Sequence, residues 1–142
     1  MTNLTIGNYY SSLINPSKYV GKKKIITIRS SYELLFVKMM DANTDIKEWS
    51  SEEYTVFYKL NGKIRKYYID FYYQTNNGKK YLVEVKPANC LVKPSFKGNM
   101  KTYKYQVCTF ILNSLKWESA KKFCIINNME FKIVTEKELG IK

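Results

Sequence analysis

The stretch YYIDFYYQTNNGKKYLVEVKP, residues 67–87, decides how this chain is read, because each of its two apolar halves carries a carboxylate in the middle. Tyr67 to Tyr73 surrounds Asp70, and Tyr81 to Pro87 surrounds Glu84, with Lys86 two residues further on. Both halves have the aromatic and β-branched composition of strands. An ionised carboxylate withdrawn from water is costly unless something compensates it. A divalent cation shared by Asp70 and Glu84 would do so.

The spacing makes sharing geometrically feasible. Side chains alternate along a strand, so Tyr68, Asp70 and Tyr72 are expected on one face and Ile69, Phe71 and Tyr73 on the other. Leu82, Glu84 and Lys86 likewise share a face. The intervening Thr75-Asn76-Asn77-Gly78 is a turn signal. If the loop is Asn76, Asn77 and Gly78, with Gly78 left-handed, Thr75 pairs with Lys79 and the same register sets Asp70 opposite Glu84. Their Cβ atoms would then lie about 5 Å apart. A two-residue Asn77-Gly78 turn would shift the register and put the carboxylates on opposite faces.

Composition narrows the chemistry. At 142 residues the chain is expected to be one domain with a real core. Hydrophobic residues at 45% argue against disorder, and no apolar run approaches the roughly 18 residues of a membrane span, so a soluble protein is expected. The start MTNLTIGNYYSS lacks signal-peptide character. Cys90, Cys108 and Cys124 are odd in number and widely spaced, the pattern of reduced thiols rather than a disulfide framework. The absence of histidine removes Ser-His-Asp hydrolysis, Cys-His proteolysis, zinc fingers and histidine-led metal sites. Any metal must be held by oxygen, which favours magnesium, with manganese able to substitute. The net charge is +12, with 24 Lys and Arg against 12 Asp and Glu, which implies a polyanionic partner, although an AT-rich genome would also enrich lysine.

Along the chain, residues 1 to about 24 read as a polar arm with Asn15-Pro16 and the run Lys22, Lys23 and Lys24. Ile25 to Ile28 is a short strand entering a helix over Ser31 to Asp41, started by a capping box of Ser30 and Glu33. Its apolar stripe is expected at Tyr32, Leu35, Phe36 and Met39. Asp45 to Glu53 reads as a polar connection. Strands follow at Tyr54 to Leu60, Lys66 to Thr75 and Lys79 to Lys86, the first two joined at Asn61-Gly62, giving three consecutive antiparallel strands. Pro87 ends the last one. After a loop, a helix is expected over Lys101 to Asn128, open to a break near Asn113-Ser114. Val107, Phe110, Ile111 and Leu115 form one stripe of it, and Trp117, Ala120, Phe123 and Cys124 a later one. Phe131 to Val134 is a strand, and Thr135 to Leu139 a capped turn with Thr135 and Glu138. The order helix, three strands, helix, strand is that of a mixed α/β or α+β domain.

Metal-assisted phosphodiester hydrolysis needs oxygen ligands and a group near the attacking water. Asp70, Glu84 and the main-chain carbonyl of Val85 would hold the metal, and Lys86 could serve the water. Glu33 could add a carboxylate, or simply cap its helix. Gln106, with Lys104 beside it, could reach a phosphate or lie on a solvated helix face. Arg29 could clamp a phosphate or balance Glu33. The ordinary alternative for Glu84 and Lys86 is an exposed charge pair on a sheet face.

Glu33 in a first helix, Asp70, the run Glu84-Val85-Lys86 and a following helix with Gln106 resemble the PD-(D/E)xK nuclease superfamily. The stretches NPSKYVG (15–21), IRSSYE (28–33), EWSSEE (48–53), YLVEVKP (81–87) and FKIVTEKEL (131–139) resemble the head completion nucleases of tailed phages. The likeness runs from about residue 15 to 139. It implies a restriction endonuclease-like core, a central mixed sheet flanked by helices as in the TnsA transposase subunit, occupying residues 25–142 behind the arm at 1–24. It also implies a magnesium-dependent endonuclease acting on double-stranded or branched DNA after packaging, first in the host cytoplasm and then at the portal or neck of the filled head, away from membranes. Asp70 and Glu84 would bind metal, Lys86 would serve the water, Glu33 would be the helix carboxylate and Gln106 an auxiliary residue. Ile69 stands where the family pattern has proline. Two other readings remain: a structural head-completion protein that binds DNA without cutting it, and a TnsA-like or restriction-type endonuclease of another system.

Overall fold

The loop between the two carboxylate strands has three residues. Thr75 N–H donates to the Lys79 carbonyl at 3.0 Å, and Gly78 sits at φ +91°, a conformation open to glycine. This is a computed structural model, and it describes residues 1–141. In chain order the elements are β1 (Asn3–Ile6), β2 (Ile28–Ser30), α1 (Ser31–Ala42), β3 (Ile46–Ser51), β4 (Thr55–Leu60), β5 (Lys63–Tyr68), β6 (Phe71–Thr75), β7 (Lys80–Val85), α2 (Met100–Ile126) and β8 (Glu130–Val134). The architecture is mixed α/β, of α+β type. Its centre is a four-stranded sheet in the order β3-β6-β7-β8, antiparallel except for the parallel pair β7 and β8.

The expected trio of consecutive strands is not one sheet. The run from Lys66 to Thr75 divides at Ile69 and Asp70, because each of these residues bonds to a different neighbour. Ile69 N–H donates to the Tyr54 carbonyl, extending the β4–β5 hairpin, whereas the Asp70 carbonyl accepts from Glu52 N–H, beginning the pairing with β3, both at 3.0 Å. A proline at position 69 could not make the first bond. β4 and β5 therefore form a separate two-stranded sheet, closed by Asn61 (φ +52°) and Gly62 (φ +76°) in a left-handed hairpin turn.

β3 lies where a polar connection was expected. Its polar composition is misleading, because Ser50 and Ser51 are buried with Ile46 and Trp49, and a register shift after Ile46 breaks the simple alternation. In α1 the buried stripe is Tyr32, Phe36, Val37 and Met40, while Leu35 and Met39 are exposed. The helix is rotated relative to the expected stripe, since Asp41 also turns inward. α2 is unbroken through Asn113 and Ser114. The Ser114 hydroxyl donates to the Phe110 carbonyl at 2.8 Å, so it is satisfied within the helix. Its earlier stripe is not buried, and only Trp117, Ala120 and Cys124 are.

Two cores lie on opposite faces of the central sheet. On one, Phe71, Tyr73, Tyr81, Val83 and Val85 pack with α1; on the other, Tyr72 and Leu82 pack with Trp117, Ala120 and Cys124 of α2 and the inner side of the β4–β5 hairpin. Residues 1–24 contribute to the first core. Tyr19 is buried against Trp49, ring centroids 4.9 Å apart, and its hydroxyl accepts the Ser51 N–H at 3.2 Å. A Cβ on Gly21 would fall 2.5 Å from that ring, so this position requires glycine. Asp41, buried at the end of α1, accepts the Ile14 and Asn15 N–H groups, both at 2.8 Å. The Lys18 ammonium donates to the carbonyls of Met40 (2.6 Å) and Asn43 (2.8 Å), satisfying groups that a helix C-terminus leaves open.

Tyr19→Ala is expected to destabilise the protein by about 3–5 kcal/mol, the cost of deleting a large buried aromatic. Urea unfolding measures this, and a loss within roughly 0.5 kcal/mol, the range of surface substitutions, would show the segment to be loosely attached.

Candidate active site

The β6–β7 register runs Gln74–Lys80, Tyr73–Tyr81, Tyr72–Leu82 and Phe71–Val83, so the next positions in line are Asp70 and Glu84. At that end the ladder gives way to a side-chain bond: Asp70 Oδ2 accepts the Val85 N–H at 2.9 Å. The bond anchors Asp70 to the strand that carries Glu84. Glu84 lies within β7, between the neighbours β6 and β8, and is 7% exposed. Its Oε2 accepts the Tyr67 hydroxyl at 2.5 Å, and its Oε1 lies 3.7 Å from the Lys86 ammonium.

Burial raises the pKa of both carboxyls. For Asp70 it is reinforced by the charge of Glu84 and opposed by the Val85 bond, and the value lies well above the usual range. Glu84 is also raised by burial, which the Tyr67 hydrogen bond, Lys86 and Lys116 counter. Glu33 is also raised by burial, against its bonds to Arg29 and Ser30, and its charge acts on both Asp70 and Glu84. Burial and the Glu84 charge hold the Tyr67 hydroxyl far above its ordinary value, so it remains a donor. The site concentrates negative charge where water is scarce, with Lys86 and Lys116 as its cationic neighbours.

The expected site residues are distributed as follows. Asp70, Glu84, Val85 and Lys86 are together. Glu33 is the third residue of α1; its N–H bonds to the Ser30 hydroxyl at 3.1 Å, and its carboxylate reaches the Arg29 N–H and the Ser30 hydroxyl, both at 3.4 Å. Gln106 is exposed in α2 and lines a groove with Cys90, Lys93 and Lys97 of the preceding loop; no hydrogen bond joins it to the carboxylates among the described residues. Lys104 is exposed on the same helix. Arg29 pairs with Glu52 and, with Lys22 and Lys23, lines a second groove bordered by Tyr68. Lys24 instead lies over the rings of Tyr10 and Tyr19 at 5.6 and 5.8 Å.

Tyr67 and Lys116 are the residues that sequence reasoning missed. Alternation through an unbroken strand puts Tyr68 beside Asp70, yet Tyr68 is exposed and Tyr67 is at the site, because the chain changes sheets at Ile69. Lys116 comes from α2, its ammonium 5.7 Å from the centre of the Tyr67 ring. Only the run of tyrosines before Asp70 hinted at the first, and no local pattern marked the second.

Comparison with known proteins bears on the activity. Residues 43–136 match the family described as TnsA-like endonuclease N terminal, and this span contains Asp70, Glu84, Lys86 and Gln106 but not Glu33. The chain belongs to the TnsA-like endonuclease family. It is also 31% identical over 138 residues to the head completion nuclease of Enterobacteria phage T4, covering 90% of this chain and 92% of that protein. For a TnsA-like endonuclease, membership supports nuclease activity on DNA. Among the described residues no helix is long and apolar enough to cross a membrane, and no cluster of three or more His, Cys, Asp or Glu side chains is arranged to hold a metal.

A raised carboxyl pKa means that the folded protein holds its proton more tightly than the unfolded chain. Stability then falls as pH rises from the unfolded carboxyl value, about 4, towards the raised one. Asp70→Asn keeps an acceptor for Val85 and removes this penalty. In metal-free buffer it is expected to melt higher than the parent at pH 8, by about 3 °C per kcal/mol relieved, with the gap closing towards pH 4. Calorimetry at both pH values measures it, and a lower melting point at pH 8 would contradict the charge assignment.

Proposed function

We propose that this protein is a magnesium-dependent DNA endonuclease of phage head completion, with a restriction endonuclease-like core, in which Asp70 and Glu84 hold the metal and Lys86 serves the attacking water. The observation that carries the reading is the pair of carboxylates set opposite one another at the end of the β6–β7 ladder, with Asp70 tied to the strand that carries Glu84. A purely structural DNA-binding protein gains nothing from two such groups held together, since each opposes the other.

The donor set fits a hard cation. Every donor is oxygen, from two carboxylates and the Val85 carbonyl, and the small number of protein ligands suits magnesium, which keeps several of its waters; manganese would take the same ligands. When bound, the metal supplies charge neutralisation at the scissile phosphate and a water of lowered pKa. The protein's own groups do the rest. Val85 N–H fixes Asp70 through Oδ2, leaving Oδ1 to face a ligand, and the Tyr67 hydroxyl orients Glu84 through Oε2. Lys86, tethered by the charge of Glu84, is positioned to steer the water and balance charge on the phosphate. Glu33 adds negative potential from the end of α1, as a ligand in a loaded site or as a distant charge. Gln106 and Lys104 on α2, and Arg29 with Lys22, Lys23 and Lys24, are assigned to the DNA path; the placement of Gln106, Arg29, Lys22 and Lys23 along grooves and the exposure of Lys104 and Lys24 support contact with phosphates.

The similarity to the T4 head completion nuclease supports a place at the portal or neck of the filled head, reached from the host cytoplasm, with double-stranded or branched DNA as substrate. Purified protein with magnesium is expected to cut linear, supercoiled or branched DNA. EDTA, Asp70→Ala, Glu84→Ala and Lys86→Ala should each reduce the rate at least about 100-fold, the scale of losing a group that acts at the reacting centre. DNA binding by the three variants should persist in a gel-shift assay. Full activity in Lys86→Ala would remove its assigned role, and no cleavage of any substrate by the parent, with binding retained, would favour the structural alternative.

A further inference from the structure

The β4–β5 hairpin has one face with nothing packed on it. Its register pairs Thr55 with Tyr68, Phe57 with Lys66 and Lys59 with Ile64, and these side chains alternate with Val56, Tyr58 and Tyr67, which are buried. The inner set packs on α2 through Trp117, Ala120 and Cys124. The outer set is left in solvent, with Phe57 58% exposed, Ile64 71% and Tyr68 57%. The three occupy diagonal cross-strand positions on one face of the ribbon, so they present a shared apolar surface and are not scattered single residues.

The charge on this ribbon identifies what covers it. From Thr55 to Ile69 there is no acidic residue, while Lys59, Lys63, Arg65 and Lys66 are all present and all exposed. On the outer face each large apolar side chain of the inner two pairs stands directly across from a lysine, Phe57 from Lys66 and Ile64 from Lys59. The root of the hairpin adjoins the carboxylate pair, since Tyr67 bonds to Glu84 and Tyr68 borders the groove that holds Lys22, Lys23 and Arg29. Cations mixed with apolar groups, on a ribbon rooted beside the carboxylate pair, suit a duplex whose phosphates flank sugar and base edges.

We infer that the outer face of the β4–β5 hairpin is a duplex-DNA contact surface that extends the substrate path outward from the carboxylate pair. This rests on the nuclease reading for its substrate. A two-stranded ribbon fits the major groove, about 12 Å wide. Five steps separate Tyr68 from Lys63, so at about 3.4 Å per residue the ribbon reaches roughly 17 Å beyond the site, or about five base pairs of duplex. Lys59 and Lys66 neutralise phosphates on the two sides of the groove, and Phe57 and Ile64 lie against its floor.

The test is fluorescence-anisotropy binding to a fluorescent duplex of about 30 base pairs, roughly three helical turns, in EDTA over a range of salt concentrations. The double variant Lys59→Ala/Lys66→Ala should bind at least about tenfold more weakly at roughly 0.1 M salt and lower the slope of log affinity against log salt by about two. Lys59→Arg/Lys66→Arg should restore both, and Phe57→Ala/Ile64→Ala should weaken binding without changing the slope. All four positions are exposed, so melting temperatures should match the parent. Unchanged affinity and slope in both alanine variants would overturn the proposal. Cleavage by the parent is measured in parallel with magnesium. Hairpin-dependent binding without cleavage would overturn the nuclease reading alone, and cleavage with hairpin-independent binding would overturn this inference alone.

Discussion

Gly78 at φ +91° closes a loop with an odd number of residues, and the position of every group at the site depends on that count. One residue fewer would turn Glu84 to the α1 side of the sheet, into the packing of Val83 and Val85, and leave Asp70 facing an apolar side chain. The register is also held from the other edges. β8 runs parallel to β7 from Tyr81 to Val85, and β3 fixes β6 from the opposite side. With Asp70 tied to the Val85 N–H, the geometry of the two carboxylates becomes a property of the sheet and does not depend on a mobile loop.

The arrangement has an energetic cost that the rest of the site moderates. The half-buried Asp70 and the buried Glu84 opposite it repel one another, and each is expensive to ionise. Tyr67 contributes one hydrogen bond to Glu84, while Lys86 and Lys116 contribute charge. What remains uncompensated raises the pKa of both Asp70 and Glu84. A cation within reach of both carboxylates would offset this cost and favour their ionised forms. The same feature explains why the site sits at the end of the β6–β7 ladder, where a ligand can approach, instead of at its centre.

Much of this was legible in the sequence, and the parts that were not share a physical cause. The Asn76-Asn77-Gly78 loop, the Ser30–Glu33 cap and the Thr135–Glu138 cap are local, so a few residues specify them. The division at Ile69 and Asp70 is not local: it depends on Tyr54 and Glu52 offering bonding partners in different directions. That division moves Tyr67 into the site and Tyr68 out of it. β3 was hidden because its buried positions include two serines, and the burial of Tyr19 because its partners, Trp49 and Ser51, are far away in the chain. In α2 the first stripe looked apolar enough to be core, but Val107, Phe110 and Leu115 are only partly buried and Ile111 is half exposed. Lys116 approaches Glu84 only through the packing of α2 on the hairpin, which no sequence pattern records.

The central claim is that Asp70 and Glu84 together hold a divalent metal, and the direct measurement is manganese binding followed by the loss of the free-ion electron paramagnetic resonance signal. The account predicts saturable binding by the parent protein, competed by magnesium, and its loss in both Asp70→Asn and Glu84→Gln while the two variants remain folded. Binding of equal strength in either variant would place the metal elsewhere and contradict the account.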